Sequence, residues 1–116
     1  MTRPMNGPFE IREDPDNDRA IIVFARQCHQ ARTRAHEESL SDVLEKCGAV
    51  ACDVSSTEVL ASDWLRWFER LTLRAARTGK TFAVVGMRPS VQKTTDDLAL
   101  RDRLVVVENL EEVWGL

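Results

Sequence analysis

The chain has no apolar run longer than about five residues, far short of the ~18 that suggest a membrane-spanning helix. Its N-terminus lacks the basic-then-apolar layout of a signal peptide, so nothing marks it for export and the aqueous cytoplasm is the expected address. It lacks a positive global charge: the formal net charge is −3 and the pI about 5.4, which excludes recruitment of nucleic acid or membrane by a general basic field. Cysteine is sparse and odd in number, at Cys28, Cys47 and Cys52, which argues for reduced thiols and against a disulfide framework. Histidine is scarcer still. His29 and His36 stand outside any strand-end loop in a polar stretch read as solvated, and they lack the paired spacing of a zinc site, so neither a metal nor nucleophilic catalysis is expected. There is no internal repeat and no low-complexity tract.

What is present fits one domain. A length of 116 residues, 43% hydrophobic and 30% charged, allows a single real core and not a second. Residues 1–8 hold two prolines and a glycine and are expected to form a loose arm, with the domain running over 9–116. Phe9 to Arg12 alternates as an edge strand, Asp14 to Asp18 is dense in turn formers, and Ala20 to Phe24 completes a hairpin. Arg26 to Arg34 has no period and reads as a connector. Leu40, Val43, Leu44 and Cys47 then mark one face of a helix over 36–47, closed by Gly48.

The organising unit is strand, helix, strand. Ala49 to Val54 is an apolar run covered on both faces. A helix over 62–78 carries the stripe Ala61, Trp64, Leu65, Phe68, Leu71 and Ala75, with Trp67 off the stripe and Gly79 as its stop, and Thr81 to Gly86 is the next strand. Pro89 opens a further helix to about Leu98, Leu104 to Val107 is a last strand, and Asn109 with Glu112 caps a terminal turn docked by Val113 and Trp114. The expected fold is α/β: a mixed, mostly parallel sheet of four to five strands with about four helices.

Gly79-Lys80-Thr81 invites a phosphate-loop reading, which fails because Arg74 stands where the first glycine is needed and the segment joins helix to strand, not strand to helix. Two other features remain. Ser55, Ser56, Thr57 and Ser62 crowd the loop after Asp53, with Ser62 in the expected cap position of the helix. Arg66, Arg70, Arg74 and Arg77 form a basic line away from the apolar stripe. Plain capping and a solvated helix face account for each alone. Together they suit a phosphoryl group on Ser62, with helix amides and Arg66 one turn on to hold it and Asp63 opposing it, so that the site either holds the phosphate or uses its charge to repel an acidic partner.

Val50-Ala51-Cys52-Asp53-Val54-Ser55 followed by Ser62 at a helix head resembles the core of STAS domains, the sulfate-transporter and anti-anti-sigma-factor fold. Val85-Gly86-Met87-Arg88-Pro89-Ser90-Val91-Gln92-Lys93-Thr94 is similar to a block of the stressosome subunits, and Val107 to Val113 resembles the last strand and helix of many STAS domains. The resemblance implies a non-catalytic regulatory protein-binding module without cofactor, phosphorylated at Ser62 by a dedicated Ser/Thr kinase, with Thr94 as second acceptor and Thr95 as its substitute. The implied partners are that kinase or an anti-sigma factor, and other STAS subunits. The expected partner surface comprises Ser55, Ser56, Asp63, Arg66, Trp67, Arg70 and Arg88. The chain departs from the family pattern at Ala61, Asp63 and Trp64, and by lacking a glycine in Asp97-Leu98-Ala99-Leu100. Alternatives are a constitutive scaffold using Trp64 and Trp67 as an oligomer interface, and a nucleotide-binding module; a lipid-transport subunit does not fit the Gly86-Met87-Arg88-Pro89 block.

Overall fold

The computed structural model describes residues 7–116. Most of the expected arm, residues 1–6, lies outside the described residues. Pro8 is tied down, its carbonyl accepting hydrogen bonds from the Ala25 amide at 2.8 Å and the Cys28 thiol at 3.4 Å.

Strands β1 (Phe9–Asp14) and β2 (Arg19–Phe24) form the expected antiparallel hairpin around a 3-10 turn at Pro15–Asn17. There follow β3 (Gln27–Cys28), α1 (Arg34–Lys46), β4 (Ala49–Asp53), β5 (Val59–Leu60), α2 (Ser62–Arg77), β6 (Thr81–Val85), α3 (Pro89–Asp97), β7 (Val106–Val107) and α4 (Leu110–Trp114). The main sheet has the order β1-β2-β4-β6-β7, parallel throughout except for the hairpin. The last strand pairs over two residues, shorter than the periodicity suggests. The polar connector contains a strand after all: β3 pairs in parallel with β5 as a separate two-stranded sheet.

Because consecutive strands step across the sheet in one direction, crossovers of one hand place their helices on one face. The large core lies there. Alternate residues of the strands, Ala20, Ile22 and Phe24, Val50 and Cys52, Phe82 and Val84, meet Leu40, Val43 and Leu44 of α1, the α2 stripe and Val91 of α3. Among the described residues the opposite face is served by α4, where Val113 packs on Ala51, Ala83 and Val85. The central strand is therefore covered on both sides, but unequally.

Aromatic residues concentrate at the head of α2. All four phenylalanines of the chain share one cluster with Trp64, which is 0% exposed and meets Phe24 edge-on at 5.3 Å and Phe9 at 5.9 Å. Such pairs add about 0.5–1.5 kcal/mol each beyond area burial. His36 belongs to this cluster and not to a solvated connector. It is half-buried at the third position of α1, its ring 5.5 Å from both Trp64 and Phe9, and its Nδ1 accepts the Thr33 amide at 3.0 Å in a reciprocal cap. All three thiols are buried, and burial, with the neighbouring Asp53 charge, pushes the Cys52 thiol far up. Such thiols are inert at neutral pH.

Two helix ends show the same motif with different residues. After α2, Gly79 at φ +69° lets the Lys80 amide reach back to the Ala75 carbonyl at 2.8 Å, and the Lys80 ammonium donates to the last carbonyls of α1, Leu44 at 2.5 Å and Glu45 at 2.6 Å. The segment that mimics a phosphate loop is thus a helix stop and a helix cap. After α3, the Leu100 amide reaches the Thr95 carbonyl at 3.0 Å, but the residue in the left-handed region is Ala99 at φ +56°. An L-residue with a Cβ is strained there. Ala99→Gly is expected to raise stability by about 1 kcal/mol, read as a higher urea midpoint at unchanged slope; an unchanged or lowered midpoint would remove the strain assigned to this turn.

Candidate functional site

The site is built where β4 and β6 end. Asp53 closes β4 and its Oδ1 accepts two hydrogen bonds from Ser55, from the amide at 2.9 Å and the hydroxyl at 2.6 Å, so the chain turns at once. Gly86 ends β6 with φ +72°, and a Cβ on it would stand 2.8 Å from the Ser55 Cβ. Only glycine admits this approach, so the Gly86 turn lies directly on the Ser55 turn. Ser56 is exposed beside it. Thr57 is fully buried, donating to the Ala25 carbonyl at 2.9 Å, and so is a structural member of the hydroxyl cluster.

Glu58 gathers the neighbouring loops. It pairs with Arg26 at 3.0 Å and with Arg88 at 3.9 Å, and its carbonyl accepts the Ser90 hydroxyl at 2.7 Å. The Arg26 guanidinium beside it holds the Glu58 carboxyl below its usual range.

Ser62 is not the cap. The cap position belongs to Ala61, with no side-chain cap bond, and Ser62 is the first residue of α2, exposed and without a side-chain hydrogen bond among the described residues. The serine preference for caps gave way to tertiary packing. Two positions on, Trp64 must enter the core, and its indole donates to the Gln30 carbonyl at 3.1 Å.

Asp63, between them, is held by a residue that spacing does not reveal. The Arg32 amide donates to Asp63 Oδ2 at 3.0 Å, and its guanidinium donates to the Asp63 carbonyl at 2.9 Å and to Asp63 Oδ1. The same guanidinium pairs with Glu37 at 2.8 Å and lies 4.9 Å over the Trp67 ring. The Arg32 side chain is only 11% exposed. Trp67, expected as a partner contact, is thus half-buried under Arg32, with its indole nitrogen buried and unpartnered. No sequence signal singles out Arg32, whose partner lies 31 positions away.

The basic line is also changed. Arg74 turns aside to pair with Glu45 of α1 at 3.0 Å, leaving Arg66, Arg70 and Arg77 exposed. Thr94 lies within α3, half-buried, donating to the Ser90 carbonyl at 3.2 Å. Thr95 is 1% exposed and bonded to the Val91 carbonyl at 2.8 Å, which removes it as a substitute acceptor. The structure therefore brings Ser55, Ser56 and Arg88 together at the strand ends, puts Ser62 and Arg66 on one exposed stretch of α2, and leaves Thr94 on a separate helix. Among the described residues, no cluster of three His, Cys, Asp or Glu side chains stands ready for a metal, and no helix is long and apolar enough to cross a membrane.

Arg32→Met, which keeps the stem over Trp67 but removes the charge, is expected to cost about 2 kcal/mol, allowing for the partial exposure of Asp63 and Glu37. Urea unfolding measures this. A loss no larger than that of a surface substitution would show that the clamp on α2 is solvent-screened.

No protein-family model matches the chain, and no curated protein matches its sequence. Solved structures do. An anti-sigma-factor antagonist (STAS) domain protein from Planctomyces limnophilus aligns with a TM-score of 0.74 at 10% identity, covering 96% of this chain and 98% of that one. RsbS of Moorella thermoacetica, in a serine-to-glutamate variant, aligns at 0.64 and 19% identity over 96% and 93% of the two chains. The anti-sigma factor antagonist SpoIIAA in its unphosphorylated form aligns at 0.69 and 12% identity over 93% and 97%, and the Bacillus cell fate determinant SpoIIAA in its phosphorylated form at 0.56 and 9% over 90% and 94%. Likeness over nearly the whole of each chain, at identities this low, is a statement about architecture: the chain has the fold of a STAS domain.

Proposed function

We propose that the protein is a non-catalytic regulatory binding module, switched by phosphorylation of Ser62. The observation that carries this reading is the state of that hydroxyl: exposed, unbonded, and on the first residue of a helix with no side-chain cap. A phosphoryl group there would add about −2 charge at neutral pH, at the end of α2 where free amides and the macrodipole favour it. Arg66 is one turn on and exposed. Asp63, which opposes such a charge, is paired with an Arg32 that it shares with Glu37, so its repulsion is reduced and not removed. Among the structural neighbours are proteins described as anti-sigma factor antagonists, one in unphosphorylated and phosphorylated forms. They favour a Ser/Thr kinase or an anti-sigma factor as partner.

In this reading the partner contacts Ser55, Ser56 and Arg88 at the strand ends and Arg66, Arg70 and the edge of Trp67 on α2. Asp63 contributes by holding Arg32 in place. Thr94 is the second acceptor, and its phosphorylation requires release of the Ser90 carbonyl. The scaffold alternative loses half of its interface, because Trp64 is wholly interior.

Ser62→Ala is expected to change stability by less than about 0.5 kcal/mol, since the hydroxyl caps nothing. Co-expression with the Ser/Thr kinase encoded nearest to the gene, followed by intact-mass and fragment analysis, is expected to place one phosphate on Ser62. Ser62→Asp is expected to shift affinity for the kinase or anti-sigma partner by about tenfold or more, from one to three charge-assisted bonds made or lost. Equal affinity for wild type, Ser62→Ala and Ser62→Asp would rule out control at this position.

A further inference from the structure

Three of the four large apolar side chains that stand exposed among the described residues line one stretch of surface: Leu73 at 52%, Val105 at 37% and Leu116 at 64%. They border two adjoining hollows, of about 330 and 220 Å³, that share Thr72 and Ala76 of α2. Together these make a groove along one flank of α2, with Val105 and Arg103 on its far bank and the buried Phe82 behind it. It sits where α2 ends and β6 begins. Ser62, three turns of α2 before Leu73, is about 16 Å away along the axis.

The near bank is basic. Arg66, Arg70, Leu73 and Arg77 follow at four-, three- and four-residue steps, which places them in one exposed stripe of the helix. Arg74 pairs with Glu45 at 3.0 Å, and Arg103 pairs at 3.1 Å with Glu69, the one carboxylate lining the hollow beside Leu73, whereas Arg66, Arg70 and Arg77 have no carboxylate partner among the described residues. Like charges one helical turn apart, as Arg66 and Arg70 are, destabilise an isolated helix. Three arginines on one stripe thus stand without a carboxylate partner among the described residues, in a chain whose net charge is −3.

We infer that this groove docks an acidic amphipathic helix of a partner protein, its apolar stripe entering between Leu73 and Val105 and its carboxylates pairing with Arg70 and Arg77. Helix-in-groove recognition needs this combination of an apolar channel and a charged rim. A second copy of the chain, docked symmetrically, would bring the arginine stripe against itself. A flat anionic membrane fits the charge but not the concave channel. The apolar channel lies about three turns of α2 from Ser62 and shares Arg70 with the partner surface proposed for that end, so the module has a second contact surface, centred on Leu73.

The test is selection of helix-constrained random peptides of about four turns on the full chain, followed by anisotropy titration of the enriched sequences. Enrichment of peptides with Leu or Ile on one stripe and Glu or Asp beside it is expected. Their affinity is expected to fall about tenfold or more for the double variant Arg70→Glu, Arg77→Glu and for Leu73→Asp, and to stay unchanged for Ser62→Asp. All three positions altered in the groove are exposed, and thermal melts check that each variant folds. Enrichment without acidic residues, or affinities indifferent to the groove variants, overturns the proposal. So does concentration-dependent dimerisation through the groove in sedimentation, or binding to vesicles of about 30% phosphatidylserine without peptide binding. Loss of peptide binding in Ser62→Asp but not in the groove variants would locate the contact at the Ser62 end and overturn the groove alone.

Discussion

Everything at the working end depends on where α2 begins, and that is settled by the burial of Trp64. Burying the Trp64 indole is costly unless its N–H is partnered, and the Gln30 carbonyl supplies the partner. With that contact made, the loop before α1 is pressed against the helix head, Arg32 reaches Asp63, Glu37 and the face of Trp67, and the residue before them is left facing water. The exposure of Ser62 is therefore not a property of the serine. It is the remainder after its neighbours have been fixed.

Sequence reading recovers the parts of this that are periodic or local. The apolar stripe of α2, the buried strands β4 and β6, the helix-stop glycine at Gly79 and the Asn109 cap with the Glu112 amide at 3.0 Å all stand as the patterns suggest. The two-residue strands β3 and β5 carry too few residues to show a period. Arg32 and Glu58 are invisible for another reason: their partners, Asp63, Arg26 and Ser90, come from other elements, and nothing local marks a residue as the one that will be buried and paired. Local preference, serine for caps and histidine for solvent, misplaces Ser62 and His36, where tertiary packing decides otherwise. The departure from family pattern at Ala99 is legible from both sides, since the missing glycine reappears as a left-handed alanine.

The helix α2 has two distinct flanks. One meets α1 through the Arg74 pair with Glu45 and holds Trp67 beneath Arg32. The other borders the groove, across which Glu69 pairs with Arg103. Its N-terminal half carries the unbonded hydroxyl and Arg66, and its C-terminal half carries Arg70 and Arg77 beside exposed Leu73, so one rod spans two surfaces with different chemistry. The helix between them is anchored in the core by Phe68, Leu71 and Ala75.

The order of the sheet bears on how the molecule is made. Each strand of the main sheet lies beside the one that precedes it in that sheet along the chain, from β1 at one edge to β7 at the other. A polypeptide leaving the ribosome would thus meet an edge already in place for every new strand, and no strand has to be threaded between two that have already joined. The hairpin can form first and the sheet can extend outward with translation, each crossover helix closing over the strands behind it. The exception is the far face, which stays bare until the closing residues arrive with Val113 and Trp114.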